Sequence, residues 1–185
     1  MSTAAPTRWR ATVDDLYRAK SRAELVDGEL KIMDGTGFMP ARAAATILLS
    51  LLDYERRTRS GYALANEAGF LVDLPNRRSF SPDAAFYRGQ PTGMKFVSGA
   101  PVFAAEVRSE NDYGPAAERD IAQMRADYFA TGTQVVWDVD LLAEDVVRVY
   151  RAADQERPAV FRRGEVAEAE PALPGWRMPV DDLFE

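Results

Sequence analysis

The run Val102–Val107, with the sequence VFAAEV, constrains the fold more than any other segment of the chain. Four apolar residues stand at its start without alternation, and the charged residue Glu106 follows them. Such a continuous run is typical of a strand that is buried on both faces, which requires helices on both sides of the sheet. We therefore predict a central strand here.

Three segments have the pattern of helices. Thr12 and Asp15 form a variant of the capping box in front of a short helix. Met39–Arg59 is rich in Ala and Leu at helical spacing. The third segment, residues 115–131, is followed by Gly132, the expected C′ residue. The predicted buried stripe of this third helix consists of Ala117, Ile121, Met124 and Tyr128.

A hairpin and several strands complete the predicted elements. Asp27-Gly28 lies between two short runs that bear apolar residues, and this dipeptide is typical of a two-residue β-turn. At the end of the strand at 134–139, Asp138 and Asp140 alternate with apolar residues, so both side chains lie on one side of the strand. That side could be near a functional site, but an exposed strand face is the simpler interpretation. The remaining predicted strands are residues 69–74, 80–87, 146–150 and 159–162.

The order of these elements predicts an α/β fold of the mixed α+β kind, with a mixed sheet, helices on its faces and an N-terminal hairpin. At 185 residues, the chain has the length of one domain with a sizeable core. We expect a single domain over residues 1–185. Residues 1–11 are expected to form a loose N-terminal arm, and residues 171–185 an irregular C-terminal strap around Trp176 and Leu183.

The composition excludes several kinds of site. The chain has no cysteine and no histidine, so disulfides, thiolate zinc sites and every triad or metal site that needs imidazole are excluded. Any metal must be held by oxygen ligands, which favours Mg²⁺, Mn²⁺ or Ca²⁺. The net charge of −6 argues against broad electrostatic binding to nucleic acid, although a local basic groove could still exist.

The location is predicted from the same features. The longest apolar stretch is too short to cross a bilayer, and residues 1–11 lack the apolar segment of a signal peptide. The absence of cysteine fits a cytoplasmic protein. We therefore expect a cytoplasmic protein with no membrane partner.

Two carboxylates occupy positions where the strands should be buried. Asp83 follows Pro82 inside an apolar strand, and Glu106 ends the run described above. An ionised carboxylate is costly to bury without a partner or a metal. Two such groups on neighbouring strands could hold a hard cation that polarises a phosphodiester. The same residues are also compatible with solvated acids at strand ends, or with acids paired to arginine.

Four segments in fixed order carry a family resemblance. They are Glu24–Glu29 (ELVDGE), Ser81–Ala84 (SPDA), Phe103–Ser109 (FAAEVRS) and Arg125–Gly132 (RADYFATG), which leads into Val135–Asp140 (VVWDVD). As an ordered set they resemble the Uma-type family of restriction endonucleases, a branch of the PD-(D/E)xK nuclease superfamily. The resemblance covers most of the chain. It implies a restriction-endonuclease-like core, a DNA substrate that is cut by metal-dependent phosphodiester hydrolysis, and a homodimer.

The resemblance also implies a metal site. Asp83 matches the motif's Asp and Glu106 its second acid, so both would bind Mg²⁺ or Mn²⁺, and the carbonyl of Val107 could add a third oxygen. Glu24 matches an acid of the family's early segment and could bind the metal or a metal-bound water. The alternative for Glu24 is a capping or hairpin-edge acid, because Ser21-x-x-Glu24 also fits a capping box.

The chain departs from the family at the motif lysine. The position two residues after Glu106 is Arg108, and the position of the lysine that similar members carry on the following helix is Met124. Arginine cannot act as a base but can clamp a phosphate. Gln123, beside Met124, could orient a water by hydrogen bonding. None of the three lysines fits the motif, although Lys31 could approach from the hairpin.

These departures leave two alternatives to an active endonuclease. The first is a cleavage-deficient protein of nuclease fold that acts as a nucleic-acid or protein binding module, which the absent lysine and the acidic charge favour. The second is a structural or interaction protein with no role on nucleic acid. Metal binding would separate the second alternative from the others, and cleavage would separate the endonuclease from the binding module.

Overall fold

The structure is a computed structural model and describes residues 10–185. Residues 1–9 of the predicted arm lie outside the described residues. At the end of that arm, Ala11 is buried in a small cluster with Leu16 and Leu25. Its backbone N–H also donates to the carbonyl of Gly28 at 2.7 Å. Residue 11 is therefore packed against the hairpin and is not part of a loose arm.

Helices and strands alternate along the described residues. The helices are α1 (Val13–Arg18), α2 (Phe38–Thr58) and α3 (Pro115–Ala130), and a 3₁₀ helix covers Val180–Phe184. The strands are β1 (Ala23–Val26), β2 (Glu29–Ile32), β3 (Tyr62–Ala65), β4 (Phe70–Leu71), β5 (Ser79–Phe80), β6 (Ala84–Tyr87), β7 (Val97–Ser98), β8 (Phe103–Val107), β9 (Val135–Val139), β10 (Val147–Arg151), β11 (Asp154–Phe161), β12 (Val166–Glu168) and β13 (Arg177–Pro179). No helix within residues 10–185 has the length and apolarity to cross a membrane.

The main sheet has six strands in the order β11-β10-β9-β8-β6-β3. β8 and β9 are parallel, and the other neighbours are antiparallel, so the predicted mixed sheet is confirmed. β8 is the predicted central strand. Phe103 and Ala105 lie in the core cluster under α2, whereas Ala104 lies in the cluster with Tyr128 of α3. The strand is therefore covered on both faces, as its continuous apolar run requires.

The predicted hairpin is confirmed and forms a separate two-stranded sheet, β1-β2. Asp27 and Gly28 have φ angles of 52° and 77°, which suit a tight turn that glycine and aspartate tolerate. The hairpin is attached to the body through β5. The Leu25 N–H donates to Ser79 Oγ at 2.8 Å, and the Arg78 N–H donates to the Leu25 carbonyl at 2.9 Å.

Several predicted strands differ from the observed ones. The strand predicted at 80–87 is two strands, because β5 belongs to a small sheet with β4 and β7 while β6 belongs to the main sheet. Ser81-Pro82-Asp83 separates them, and Pro82 has no N–H to donate to a ladder. The strand predicted at 69–74 is reduced to the two residues of β4. The edge strand β3 was not predicted, since it is short and its residues are exposed or half-buried.

The C-terminal segment is more regular than an irregular strap. Within residues 171–185, β13 pairs with β12 and the 3₁₀ helix follows it. Trp176 and Leu183 are both buried in the core cluster under α2, as predicted. Trp176 lies against Trp137 with ring centroids 4.9 Å apart.

Candidate active site

A groove between the hairpin, the end of β8 and α3 collects most of the predicted site residues. Its volume is about 360 Å³. Five of the predicted residues line it, namely Glu24, Asp83, Glu106, Val107 and Arg108. Gln123 does not line this groove. The topology explains the grouping, because Asp83 lies just before β6 and Glu106 lies near the end of the neighbouring strand β8.

Asp83 is held at the strand end by backbone contacts. Its own N–H donates to the Ala105 carbonyl at 3.1 Å, and its Oδ2 accepts from the Val107 N–H at 2.8 Å. Arg22 lies on the other side, with Nη1 3.3 Å from Asp83 Oδ1 and Nε donating to Ser81 Oγ at 2.9 Å. Burial raises the pKa of Asp83, and the Val107 N–H and Arg22 offset part of this rise. The carboxylate of Asp83 is thus fixed against the backbone of Val107, the residue that follows Glu106.

Glu106 faces α3 because side chains alternate along β8. Tyr128 of α3 donates its hydroxyl to Glu106 Oε1 at 2.6 Å. Burial raises the pKa of Glu106 well above its ordinary value, and the negative charges of Asp83 and Glu24 raise it further. Burial together with Glu106 also raises the pKa of Tyr128 well above its ordinary value, which keeps the phenol a hydrogen-bond donor. Three carboxylates therefore act on one another around this groove.

Glu24 is a buried carboxylate whose two oxygens both have partners. Oε1 accepts from the Ser81 N–H at 2.7 Å, and Oε2 contacts Arg77 Nη1 at 2.5 Å. Glu24 lies in β1, and no helix begins near Ser21 in the described chain, so the capping alternative is wrong. The carboxylate joins the hairpin to the segment between β5 and β6.

Arg77 bridges two carboxylates in the interior. Besides Glu24, its Nε donates to Asp127 Oδ2 at 2.8 Å, and only 5% of the residue is exposed. Asp127 also accepts from the amides of Asn76 and Gln123, the latter at 2.9 Å. The structure therefore places Gln123 on this bridge and not beside Glu106. We call the contacts of Arg77 with Glu24 and Asp127 the Arg77 bridge.

Arg108 is fully engaged by carboxylates. Its Nε and Nη2 donate to the two oxygens of Asp138, both at 2.8 Å, and Nη2 also donates to Glu118 Oε2 at 3.1 Å. These contacts raise the pKa of Arg108. Asp138 and Asp140 are both buried, so the exposed face expected for them is wrong, and Asp138 lies near the site because it lines the groove. Asp140 accepts from the Tyr113 hydroxyl at 2.9 Å.

The outer wall of the groove belongs to α3 and consists of three apolar residues and Asp120. In the predicted buried stripe of this helix only Tyr128 is fully buried, whereas Ala117, Ile121 and Met124 are half-buried. All three residues line the groove, and Met124 also packs against the core cluster that contains Tyr128. The side chain at the family's lysine position, Met124, therefore does reach the groove.

Sequence reasoning missed three residues that hold the site together: Arg22, Arg77 and Asp127. Each acts through a partner at least 50 positions away in the chain, and such pairs leave no local pattern. Within residues 10–185, no group of three or more acidic side chains is arranged to hold a metal ion. A metal at this groove would therefore depend on two carboxylates and backbone or water oxygens.

A mixed sheet covered by helices, with carboxylates at the ends of adjacent strands, is a restriction-endonuclease-like architecture. The structure is similar to that of a putative nuclease belonging to DUF820 from Anabaena variabilis, with a TM-score of 0.75 and 17% sequence identity. The similarity covers 94% of this chain and 97% of the other. Residues 11–181 match the Uma2 family, described as putative restriction endonuclease, and the chain belongs to that family. No curated protein matches the chain significantly.

Proposed function

We propose that the protein is a cytoplasmic DNA endonuclease that hydrolyses phosphodiester bonds with Mg²⁺ or Mn²⁺. The observation that carries the proposal is that Asp83 and Glu106 line one groove, where Asp83 accepts at 2.8 Å from the N–H of Val107, the residue that follows Glu106. Membership of the Uma2 family supports a nuclease with a nucleic-acid substrate. DNA as that substrate and the identity of the ion belong to the proposal.

The donor set of the groove suits a hard divalent cation. Asp83 and Glu106 supply carboxylate oxygens, and Mg²⁺ is commonly bound by one or two carboxylates with waters. The Val107 N–H points toward Asp83, and in an extended strand the carbonyl of a residue points to the same edge as its N–H. The Val107 carbonyl is thus available as a third oxygen. The raised pKa values of both acids fit this arrangement, since a divalent cation would relieve their burial and mutual repulsion.

The residues around this donor set have separate tasks. A bound divalent ion would polarise the phosphodiester and lower the pKa of a water. Tyr128 orients the carboxylate of Glu106, and Arg22 orients that of Asp83. Glu24 adds negative charge beside the metal donors. Because its two oxygens already contact the Ser81 N–H and Arg77, its task is to position these two residues.

Arg108 and Gln123 have more limited roles in this proposal. Arg108 could clamp a phosphate only after Glu118, its exposed partner, releases it, because Asp138 occupies the other side of the guanidinium. Gln123 acts through Asp127 on the Arg77 bridge. The water-orienting role predicted for Gln123 would require its side chain to leave that contact.

Calorimetric titration with Mn²⁺ and Mg²⁺ tests the proposed metal site. We expect the wild type to bind both ions, and Asp83→Ala and Glu106→Ala to lose binding. Asp53→Ala is the matched control, because Asp53 is an exposed acid on α2 outside the groove. A wild type that binds neither ion, alone or with DNA present, would contradict the proposal. Cleavage of duplex and single-stranded DNA under the same conditions tests the reaction itself.

A specific observation favours a second candidate, the cleavage-deficient binding module. Met124 occupies the family's lysine position and Arg108 is held by two carboxylates, so neither offers a free cation to the reacting phosphate. DNA binding in the presence of metal without any cleavage would support this candidate. Cutting both strands of a duplex would use two copies of the site, so the endonuclease proposal includes a homodimer, which sedimentation analysis can test.

A further inference from the structure

Lys31 is a cation on the hairpin that faces the groove. In the β1-β2 register Lys31 is the direct partner of Glu24, and directly opposed residues project from the same face of a hairpin. Lys31 lines the groove together with Asp83 and Glu106. Its Nζ lies 3.9 Å from Asp120 Oδ2 on α3, so the side chain extends across the mouth of the groove from the hairpin to the helix.

The other cations of the groove are already committed. Arg22 is bound to Asp83 and Ser81, Arg77 is bound to two buried carboxylates, and Arg108 is bound to Asp138 and Glu118. Moving any of these would leave a buried or half-buried carboxylate without its cation. Lys31 differs from them, since its side chain is 57% exposed and its ion-pair partner Asp120 is 76% exposed. An exposed pair of this length is weak and exchanges easily.

We propose that Lys31 binds the reacting phosphate of the substrate, and that it exchanges Asp120 for that phosphate when substrate enters. This inference rests on the proposed nuclease function. In it, Lys31 takes the part of the motif lysine, which is replaced by Arg108 and Met124 in this chain. A phosphodiester carries the same single negative charge as a carboxylate, but it can contact the ammonium group directly, whereas Asp120 lies 3.9 Å away. The neighbouring phosphates of the backbone add to the attraction, so the exchange is favourable. In this arrangement Lys31 stabilises negative charge on the phosphate.

Asp120 has a defined part in the same exchange. Without substrate it keeps the ammonium group of Lys31 near α3, across the groove mouth. With substrate its carboxylate would face the phosphate without a partner and repel it. Asp120→Asn is therefore expected to tighten DNA binding, by about fivefold at most for an exposed pair.

The test measures the affinity for a short duplex oligonucleotide by fluorescence anisotropy as a function of salt, with Ca²⁺ in place of Mg²⁺. Each phosphate contact contributes about 0.9 to the slope of log affinity against log salt concentration for duplex DNA. We expect Lys31→Met to weaken binding and to reduce this slope by about 0.9, while Lys31→Arg keeps the slope. Lys95→Met is the matched control, because Lys95 lines a different pocket.

Cleavage and metal binding give the second readout. Lys31→Met should lower the cleavage rate by about 10²- to 10³-fold and leave Mn²⁺ affinity unchanged. If the wild type binds and cleaves DNA but Lys31→Met has the wild-type slope and rate, the role of Lys31 is wrong and the nuclease proposal stands. If the wild type neither binds nor cleaves DNA, the nuclease proposal fails and the role of Lys31 fails with it.

Discussion

Replacement of Arg77 by methionine should destabilise the protein far more than replacement of its neighbour Arg78. Arg77 is 5% exposed, and its carboxylate partners Glu24 and Asp127 have side chains that are 8% and 5% exposed. Removing one member of a buried pair costs about 3–5 kcal/mol, because the remaining charge stays buried without compensation. Here two carboxylates lose their cation at once.

The remaining donors limit the cost. In the Arg77→Met variant, Glu24 keeps the Ser81 N–H at 2.7 Å, and Asp127 keeps the amides of Asn76 and Gln123. We therefore expect a loss within the range of about 3–5 kcal/mol and not above it. For a chain of this length, about 2–4 °C of Tm corresponds to each kcal/mol, so the Tm should fall by about 6–20 °C.

Thermal and urea unfolding followed by circular dichroism measures this loss. Arg78→Met is the control, since Arg78 and its partner Asp73 have side chains that are 52% and 85% exposed. An exposed pair contributes at most about 1 kcal/mol, so this variant should stay within about 4 °C of the wild type. Equal shifts in the two variants would refute the reasoning, because burial would then make no difference to the cost of breaking the ion pair.

Three further changes have defined outcomes. Glu106→Gln should raise the Tm at pH values above 4.5, the ordinary pKa of a glutamate, and leave the Tm unchanged well below that pH. The pKa of Glu106 is raised in the folded protein, so ionisation of this carboxyl group costs stability as the pH rises above 4.5. A difference in Tm that does not change with pH would contradict this prediction. The amide oxygen can still accept from Tyr128. Met124→Lys should raise the cleavage rate on the order of 10²-fold, whereas Gln123→Lys should not, because Met124 lines the groove and Gln123 does not. Equal gains in the two variants would contradict this placement of the two side chains. Trp176→Ala should cost about 3–5 kcal/mol in urea unfolding, since this residue is 1% exposed, and a cost below 1 kcal/mol would argue against the packing of the C-terminal segment.

The features of the fold that depend on neighbouring residues were predictable from the sequence. The turn at Asp27-Gly28 and the capping box of Thr12 and Asp15 are contacts within a few residues, and both are present. The strand β8 was predictable because burial on both faces leaves a continuous apolar run. By contrast, β3 is a short edge strand with little burial and so has no strong pattern.

The acids of the candidate site were predictable and their partners were not. Asp83 and Glu106 are conspicuous because a carboxylate is unusual in an apolar strand. The contact of Arg22 with Asp83 joins residues 61 positions apart, and that of Arg108 with Asp138 joins residues 30 positions apart. An arginine has the same appearance in a sequence whether it is free or bound, so the clamp role predicted for Arg108 had no pattern against it.

The hairpin forms one wall of the groove and is separate from the main sheet. Glu24 and Lys31 belong to a two-stranded sheet outside the main sheet. This sheet is attached through the Leu25 contacts, the hydrogen bond of the Asp27 N–H to the Asn76 carbonyl, and the contacts of Glu24 with Ser81 and Arg77. Such a unit can detach while the six-stranded sheet stays folded, because local opening costs less than global unfolding. We therefore expect this wall of the groove to open at a lower free energy than the six-stranded sheet. A ligand that contacts both walls would slow hydrogen exchange in β1 and β2 more than in β8 and β9.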